Sequence, residues 1–162
     1  MKSTTWKSAW QSIALGIVAG MRSASAPAIA AHILSTSKPK QLLKTPLAFM
    51  RSEGGATLLK VMAAGELIAD KLPFAGDRIQ PIGLVARGVS GAISGGSISK
   101  GNGDKLVNGT LLGTAAAIGS SFAFFYLRKY VVNKTKIDDP IIGSIEDALV
   151  IGIAVVLVRP LK

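Results

Sequence analysis

Apolar stretches of nearly membrane-spanning length alternate with short polar or basic breaks along the whole chain. Five such stretches are present, at residues 9–34, 54–72, 81–98, 106–127 and 140–158. A helix needs about 20 mostly apolar residues to cross the hydrocarbon core of a bilayer. The pattern therefore predicts an all-α, polytopic transmembrane helix bundle of about five spans, forming one domain over residues 1–162.

The breaks between these stretches carry recognisable turn and interface signals. Residues 35–52 contain four cations and two prolines, which predicts a basic loop with a short interfacial helix at residues 46–51. Residues 99–105 contain two glycines, an asparagine and an aspartate, which predicts a turn. Asp139 directly precedes Pro140, a combination that favours the start of a helix.

Composition supports a membrane location and excludes several kinds of chemistry. Only 17% of the residues are charged and 49% are apolar, whereas a soluble domain has about 25% charged residues. The absence of cysteine excludes disulfides, thiolate metal sites and cysteine nucleophiles, and a single histidine leaves no histidine-rich metal site. We therefore expect no cofactor and no metal.

The net charge of +10 raises the question of an anionic partner. The cations are spread over loops between apolar spans, without a basic helix or an aromatic surface for stacking bases. Anionic lipid headgroups attract such cations by about 1 kcal/mol each near the membrane surface. The sequence thus predicts lipids, and no nucleic acid, as partners.

Residues 20–27 predict a break in the first span. Pro27 lacks a backbone N–H, and its ring opposes the carbonyl of Ser23. Arg22 lies near the middle of this span, where its charge requires a carboxylate, exposed carbonyls or water. An inner helix terminus beside Arg22, Ser23 and Ser25 could hold an anionic group. The alternative is a structural kink in which Arg22 is an internal ion-pair partner.

Carboxylates in the second span form the other candidate site. Glu66 and Asp70 lie four residues apart and therefore share one helix face, which cannot face lipid. Arg87, in the third span, is the expected partner because the connection between these spans is short. We expect Arg22, Glu66, Asp70 and Arg87 to meet inside the bundle. The cluster would serve either as a proton or cation relay and binding site or as structural glue.

Two further carboxylates, Glu146 and Asp147, lie near the beginning of the fifth span. Negative charge is favourable at a helix N-terminus, so they could cap this helix. The alternative is that they belong to an acidic cluster opposite Arg22 and Arg87.

Glycine pairs with GxxxG spacing occur three times, and this spacing predicts close helix packing. The alternative is that these glycines loosen helices for motion or line a narrow path. The three pairs are Gly16 with Gly20, Gly91 with Gly95, and Gly109 with Gly113.

Residues 16–34 and 109–127 align without a gap, which predicts an inverted repeat because three spans separate their starts. Chance similarity between glycine- and alanine-rich helices is the alternative.

Orientation in the membrane normally follows from the distribution of Lys and Arg in the loops. With five crossings, eight of these cations fall on each side. Such a tie predicts either a different span count or weakly directed insertion, as in small dual-topology proteins that pair head to tail. A homodimer or higher homo-oligomer is therefore one expectation.

Several motifs in combination resemble a known family: GxxxGMRSASAPA, GELIADKLP, the 81–91 stretch with Arg87, and a glycine-rich fourth span. Together they resemble the domain-of-unknown-function 4126 family of small bacterial membrane proteins. The resemblance covers most of the chain and implies a multi-pass protein of the bacterial inner membrane. It brings no substrate or reaction with it.

The functional expectation is a small transporter or channel-like protein with a polar intramembrane site. The alternative is a non-catalytic structural or lipid-interacting membrane module, and an intramembrane enzyme is a distant third. Ser23, Ser25 and Ser120 lack the positioned His or Lys that activates a nucleophile, so we expect no enzymatic activity.

Overall fold

A computed structural model describes residues 2–69, 80–135 and 139–159, and all regular structure in these ranges is helical. This confirms the predicted all-α fold. One of two short 3₁₀ helices, Pro46–Arg51, has the bounds predicted for the loop helix; the other is Lys40–Leu42. The six α-helices are α1 (Lys2–Met21), α2 (Ser25–Ser37), α3 (Glu53–Ala69), α4 (Pro81–Gly101), α5 (Leu106–Thr135) and α6 (Asp139–Val158).

Helix α1 runs antiparallel to α4. The side-chain amide of Asn102, at the end of α4, donates a 2.8 Å hydrogen bond to Oε1 of Gln11. At the middle of α4, the hydroxyl of Ser90 donates to the carbonyl of Ser23. The two helices therefore run in opposite directions along the bundle.

Helix α2 runs in the opposite direction to α1, so the two form a hairpin. Gly101, at the end of α4, packs against Leu34 near the end of α2 and against Pro39 just beyond it. The beginning of α1 and the end of α2 thus lie at the same end of α4. The first predicted span is therefore not a single broken crossing: it folds back on itself at residues 22–24, which we call the hairpin tip.

Local geometry explains where the hairpin turns. The N–H of Arg22 makes the last bond of α1, 2.7 Å to the carbonyl of Val18. Pro27 is the third residue of α2, a position where a helix N–H has no intrahelical acceptor to lose. Proline therefore begins the second helix rather than kinking a continuous one.

Glycines bring α1, α4 and α5 into backbone contact at the centre of the bundle. Gly16 of α1 and Gly91 of α4 both lie against the carbonyl of Gly113 in α5. Gly95 and Gly109 face each other in the same way one turn along. Each of these positions lacks the room for a Cβ atom, so the three axes approach as closely as their backbones allow.

Two helices of the described chain contain segments long and apolar enough to cross a membrane, Leu106–Lys134 in α5 and Ile141–Val158 in α6. The predicted five-span bundle is not confirmed. The boundaries also differ in detail, because α4 continues to Gly101 and α5 continues to Thr135, beyond their predicted ends at residues 98 and 127.

One end of the bundle collects most of the described cations, and we call it the basic face. It contains the beginnings of α1 and α3, the ends of α2, α4 and α6, and residues 38–52 and 102–105. Among the described residues the cations are not divided equally between the two ends, because the hairpin brings the N-terminal lysines to the same end as the 35–52 loop. The described cations there include Lys7, Lys38, Lys40, Lys44, Arg51, Lys100, Lys105 and Arg159.

Cysteine labelling tests this hairpin directly, since the chain has no native cysteine. Single cysteines at positions 7, 40 and 102 are expected to react with an impermeant thiol reagent from the same side of the membrane. A cysteine at position 134, at the far end of α5, is expected to react from the other side. If the cysteines at positions 7 and 134 react from the same side, the first stretch is a single broken crossing and the hairpin is refuted.

Candidate functional site at the hairpin tip

The hairpin tip lies near the middle of the bundle's longest helices. Ser90, which contacts the tip, is the tenth of the 21 residues of α4. Gly20, just before the tip, packs against Ser120, the fifteenth of the 30 residues of α5. The non-helical backbone of the tip therefore lies against these helices at about half of their length, with Arg22 buried and Ser23 and Ala24 partly buried.

Glu66 of α3 binds the tip through both carboxylate oxygens. Oε1 accepts hydrogen bonds from the N–H and hydroxyl of Ser23, at 2.8 and 2.5 Å, and Oε2 accepts one from the N–H of Ala24, at 2.7 Å. These N–H groups precede α2 and have no partner in that helix. The anionic group predicted for the broken helix is thus supplied by the chain itself.

Arg22 joins the hairpin to α6. Its Nε and Nη2 atoms lie 2.8 and 2.7 Å from Oδ1 of Asp147. The Arg22 side chain is 3% exposed and that of Asp147 is 19% exposed. This ion pair is nearly enclosed in protein, as a charge at the middle of the bundle requires.

Glu146, the residue before Asp147, points to a different helix. Its Oε2 lies 3.8 Å from Nη1 of Arg128 in α5, and its side chain is 4% exposed. Glu146 is the eighth residue of α6, two turns beyond the helix start. The alternative that Glu146 and Asp147 cap the N-terminus of this helix is therefore wrong, because the end effect is confined to the first turn.

Serine side chains complete the tip. Ser90 donates its hydroxyl hydrogen bond to Ser23, whose own hydroxyl faces Glu66. Ser25, the first residue of α2, is buried, and its N–H donates a 3.3 Å bond to the carbonyl of Arg22. The backbone turn is therefore held by α3 on one side and by α4 on the other.

The remaining predicted site residues are placed as follows. Arg87 is half-buried on α4, three residues before Ser90. Glu66 bonds to Ser23 and Ala24 rather than to Arg87 within the described chain. Asp70 lies outside the described residues. The structure thus gathers Arg22, Ser23, Ser25 and Glu66 around one turn.

Ser90 is a tip residue that the sequence does not predict, whereas Asp147 is predicted only as one of two alternatives, a member of an acidic cluster opposite Arg22 and Arg87. A carboxylate two turns inside an apolar helix needs a cation partner, and this signal identifies Asp147 once the start of α6 is known. Nothing in the sequence distinguishes Ser90 from the five other serines between positions 80 and 135. Its role depends on which helix packs against the tip.

A second polar contact links α2 and α3 nearer the basic face. The Nζ atom of Lys60 lies 3.2 Å from Nδ1 of His32, so an ammonium donor there requires the neutral ring nitrogen as acceptor. Among the described residues, no group of three or more acidic or histidine side chains could hold a metal ion.

The arrangement combines a tight core with two helices that reach the hairpin tip through charged side chains. α1, α4 and α5 pack backbone to backbone, whereas α3 and α6 join the apolar core through residues such as Ala56 and Val150 and reach the tip through Glu66 and Asp147. A change in the charge of either carboxylate would weaken the attachment of one helix to the hairpin.

Comparison with known proteins gives one result. No curated protein and no solved structure matches the chain. A family model for a domain of unknown function, DUF4126, matches residues 10–160 and so includes the hairpin, Glu66 and Asp147. The chain belongs to the DUF4126 family.

Proposed function

We propose that the protein is a small membrane transporter whose polar site is the hairpin tip. The observation that supports this function is a non-helical turn, enclosed at mid-bundle, that meets carboxylates from two separate helices. Irregular backbone at membrane depth occurs where it is buried in protein or lines a water-filled path. Binding sites of secondary transporters are commonly built on such interrupted helices.

The proposal places α4, α5 and α6 across the bacterial inner membrane, with the hairpin and α3 entering from one side as far as the tip. Large apolar side chains exposed on α3 and α4 support this, including Ile68 at 68% and Ile82 at 85% exposure. The excess of cations would orient the basic face toward the cytoplasm. In this placement three of the described helices cross completely, and the first of the five crossings expected from the sequence is a re-entrant hairpin instead.

A transport step would use the acceptor capacity of Glu66. All the hydrogen bonds that its carboxylate makes in the described structure come from donors at the hairpin tip. A proton on this carboxylate removes one acceptor position and introduces a donor, which weakens the bonds to Ser23 and Ala24. Helix α3 would then separate from the tip, and a solute could reach Arg22.

Glu66→Gln tests this role. The amide keeps the shape of the carboxylate but cannot carry the negative charge or release a proton. We expect the variant to lose proteoliposome flux or its dependence on pH while the packed helices α1, α4 and α5 still fold, because Glu66 attaches only α3 to the tip. Flux would be screened across protons, common ions and small anions.

Glu53→Gln is the matched control, since Glu53 is an exposed carboxylate on the same helix. Its flux should equal that of the wild type. A wild-type protein without flux for any of these solutes, combined with a strongly destabilised Glu66→Gln variant, would end the transporter proposal.

The second candidate is a structural membrane module, and a specific observation favours it. Glu66 and Arg22 both have partners within the chain, as expected for groups that hold helices together. Two cavities of about 310 and 380 Å³ in the described part of the chain are lined by other residues. The stability and flux of the Glu66→Gln variant distinguish the two candidates.

A further inference from the structure

A groove of about 380 Å³ separates α6 from α1 on the side away from α4 and α5. Trp10 and Ala14 line it on α1. Ala148, Gly152 and Val156, spaced one turn apart, form its wall on α6. Its walls are apolar, and it runs along α6 for about 12 Å at 1.5 Å per residue.

Cations flank the end of this groove that lies at the basic face. Lys7 is three residues before Trp10 on α1, and Arg159 is three residues after Val156 at the end of α6. Both side chains are exposed, and neither forms an ion pair with a described residue. Spacing of three residues places each cation on the side of its helix that lines the groove.

Tryptophan marks the depth of this end in a bilayer. Trp6 is 74% exposed and lies one turn before Trp10. Tryptophan side chains concentrate at the boundary between hydrocarbon and headgroups. In the membrane placement proposed above, the cations would therefore lie at headgroup level, and the apolar groove would extend from there into the hydrocarbon region.

We propose that this groove is a binding site for one anionic phospholipid. An acyl chain lies between α1 and α6, and the phosphate lies between Lys7 and Arg159. The apolar walls match the hydrocarbon chain, and two cations without ion-pair partners match a negative headgroup. The site does not depend on transport, because it uses neither Glu66 nor the hairpin tip.

Quenching of Trp10 fluorescence by phosphatidylglycerol with brominated acyl chains measures occupancy of the groove. The chain has two tryptophans, so a Trp6→Phe background leaves Trp10 as the single fluorophore. In phosphatidylcholine bilayers, brominated phosphatidylglycerol is expected to quench saturably at low mole fraction. Brominated phosphatidylcholine at the same mole fraction is expected to quench much less.

Two variants separate the headgroup from the acyl chain. In the same background, Lys7→Gln with Arg159→Gln should lower the apparent affinity for phosphatidylglycerol about thirtyfold, from the loss of two headgroup cations. Gly152→Leu should abolish quenching by filling the groove; a Cβ at Gly152 meets no atom within 4 Å, so the leucine has space to enter.

Matched controls keep the interpretation specific. Lys40→Gln with Lys44→Gln removes the same charge from the basic face, and Gly119→Leu adds the same side chain at another open position, on α5. Both should bind like the parent. Equal quenching by the two lipids, or an equal loss of affinity in the Lys40/Lys44 control, would overturn the proposal. The proposal would also be overturned if neither brominated lipid quenched Trp10 and the protein cross-linked as a dimer, because a second copy would then occupy the groove.

Discussion

Asp147→Asn is expected to lower the free energy of unfolding by about 3–5 kcal/mol, the range found when a buried ion pair loses one partner. Arg22 is 3% exposed, and the amide that replaces the carboxylate leaves its guanidinium without the charge it now contacts. The expected measurement is a thermal or denaturant unfolding curve of the purified protein in detergent.

A double variant, Arg22→Met with Asp147→Leu, provides the control. Replacing both members of a buried ion pair by apolar side chains of similar size is often neutral or stabilising. The double variant should therefore recover most of the stability that Asp147→Asn loses. If the double variant is as unstable as the single one, the pair does not account for the loss.

Gly113→Ala is expected to destabilise the bundle by about 3 kcal/mol, at the upper end of the usual cost of overpacking. A Cβ at this position overlaps the carbonyl oxygen of Gly91 and lies 3.3 Å from the Cα atom of Gly95. These are backbone atoms of α4, which move only if the helices separate. Gly16 of α1 rests on the same residue, so the separation would affect all three core helices.

Gly119→Ala is the matched control, six residues further along α5. A Cβ there meets no atom within 4 Å. Since alanine favours helix over glycine by about 1 kcal/mol, this variant should be as stable as the wild type or slightly more stable. Equal melting temperatures for the two alanine variants would contradict the backbone packing of α4 on α5.

The sequence predicts the helices well where proline or a turn marks their ends. The predicted spans begin at Pro81 and Leu106, where α4 and α5 begin, and the last span ends at Val158, as α6 does. Proline favours the first position of a helix, and polar clusters separate the apolar windows. The short helix Pro46–Arg51 follows from the same signals.

The hairpin could not be predicted from hydropathy. An apolar window of 26 residues fits one crossing with a break, or two half-length helices that fold back on each other. The choice depends on contacts with α4, such as that between Gln11 and Asn102, far apart in the sequence. Neither residue carries a signal that would reveal this pairing.

In the candidate site, too, the sequence predicts some residues, and others depend on contacts between helices. The energy of buried charge identifies Arg22 and Glu66 without a structure, because neither can face lipid. Their partners depend on which helices are neighbours. The sequence leaves Asp147 with two roles, a cap at the helix start or a member of an acidic cluster opposite Arg22 and Arg87, and the ion pair with Arg22 supports the second.

The inverted repeat and the homo-oligomer stay predictions. Residues 16–34 contain the hairpin, whereas residues 109–127 lie within the continuous α5. Sequence similarity between these segments therefore does not extend to the same helix geometry.

Within the described residues, the hairpin makes one half of the bundle wider than the other. Between the basic face and the tip, all six α-helices run side by side. Beyond the tip, α4, α5 and α6 account for nearly all of the described helix. Each helix with its side chains is about 10 Å across, so the described part of the chain is wider between the basic face and the tip than beyond the tip. In a bilayer, this wider part would displace more lipid from the leaflet that contains the hairpin than from the opposite leaflet.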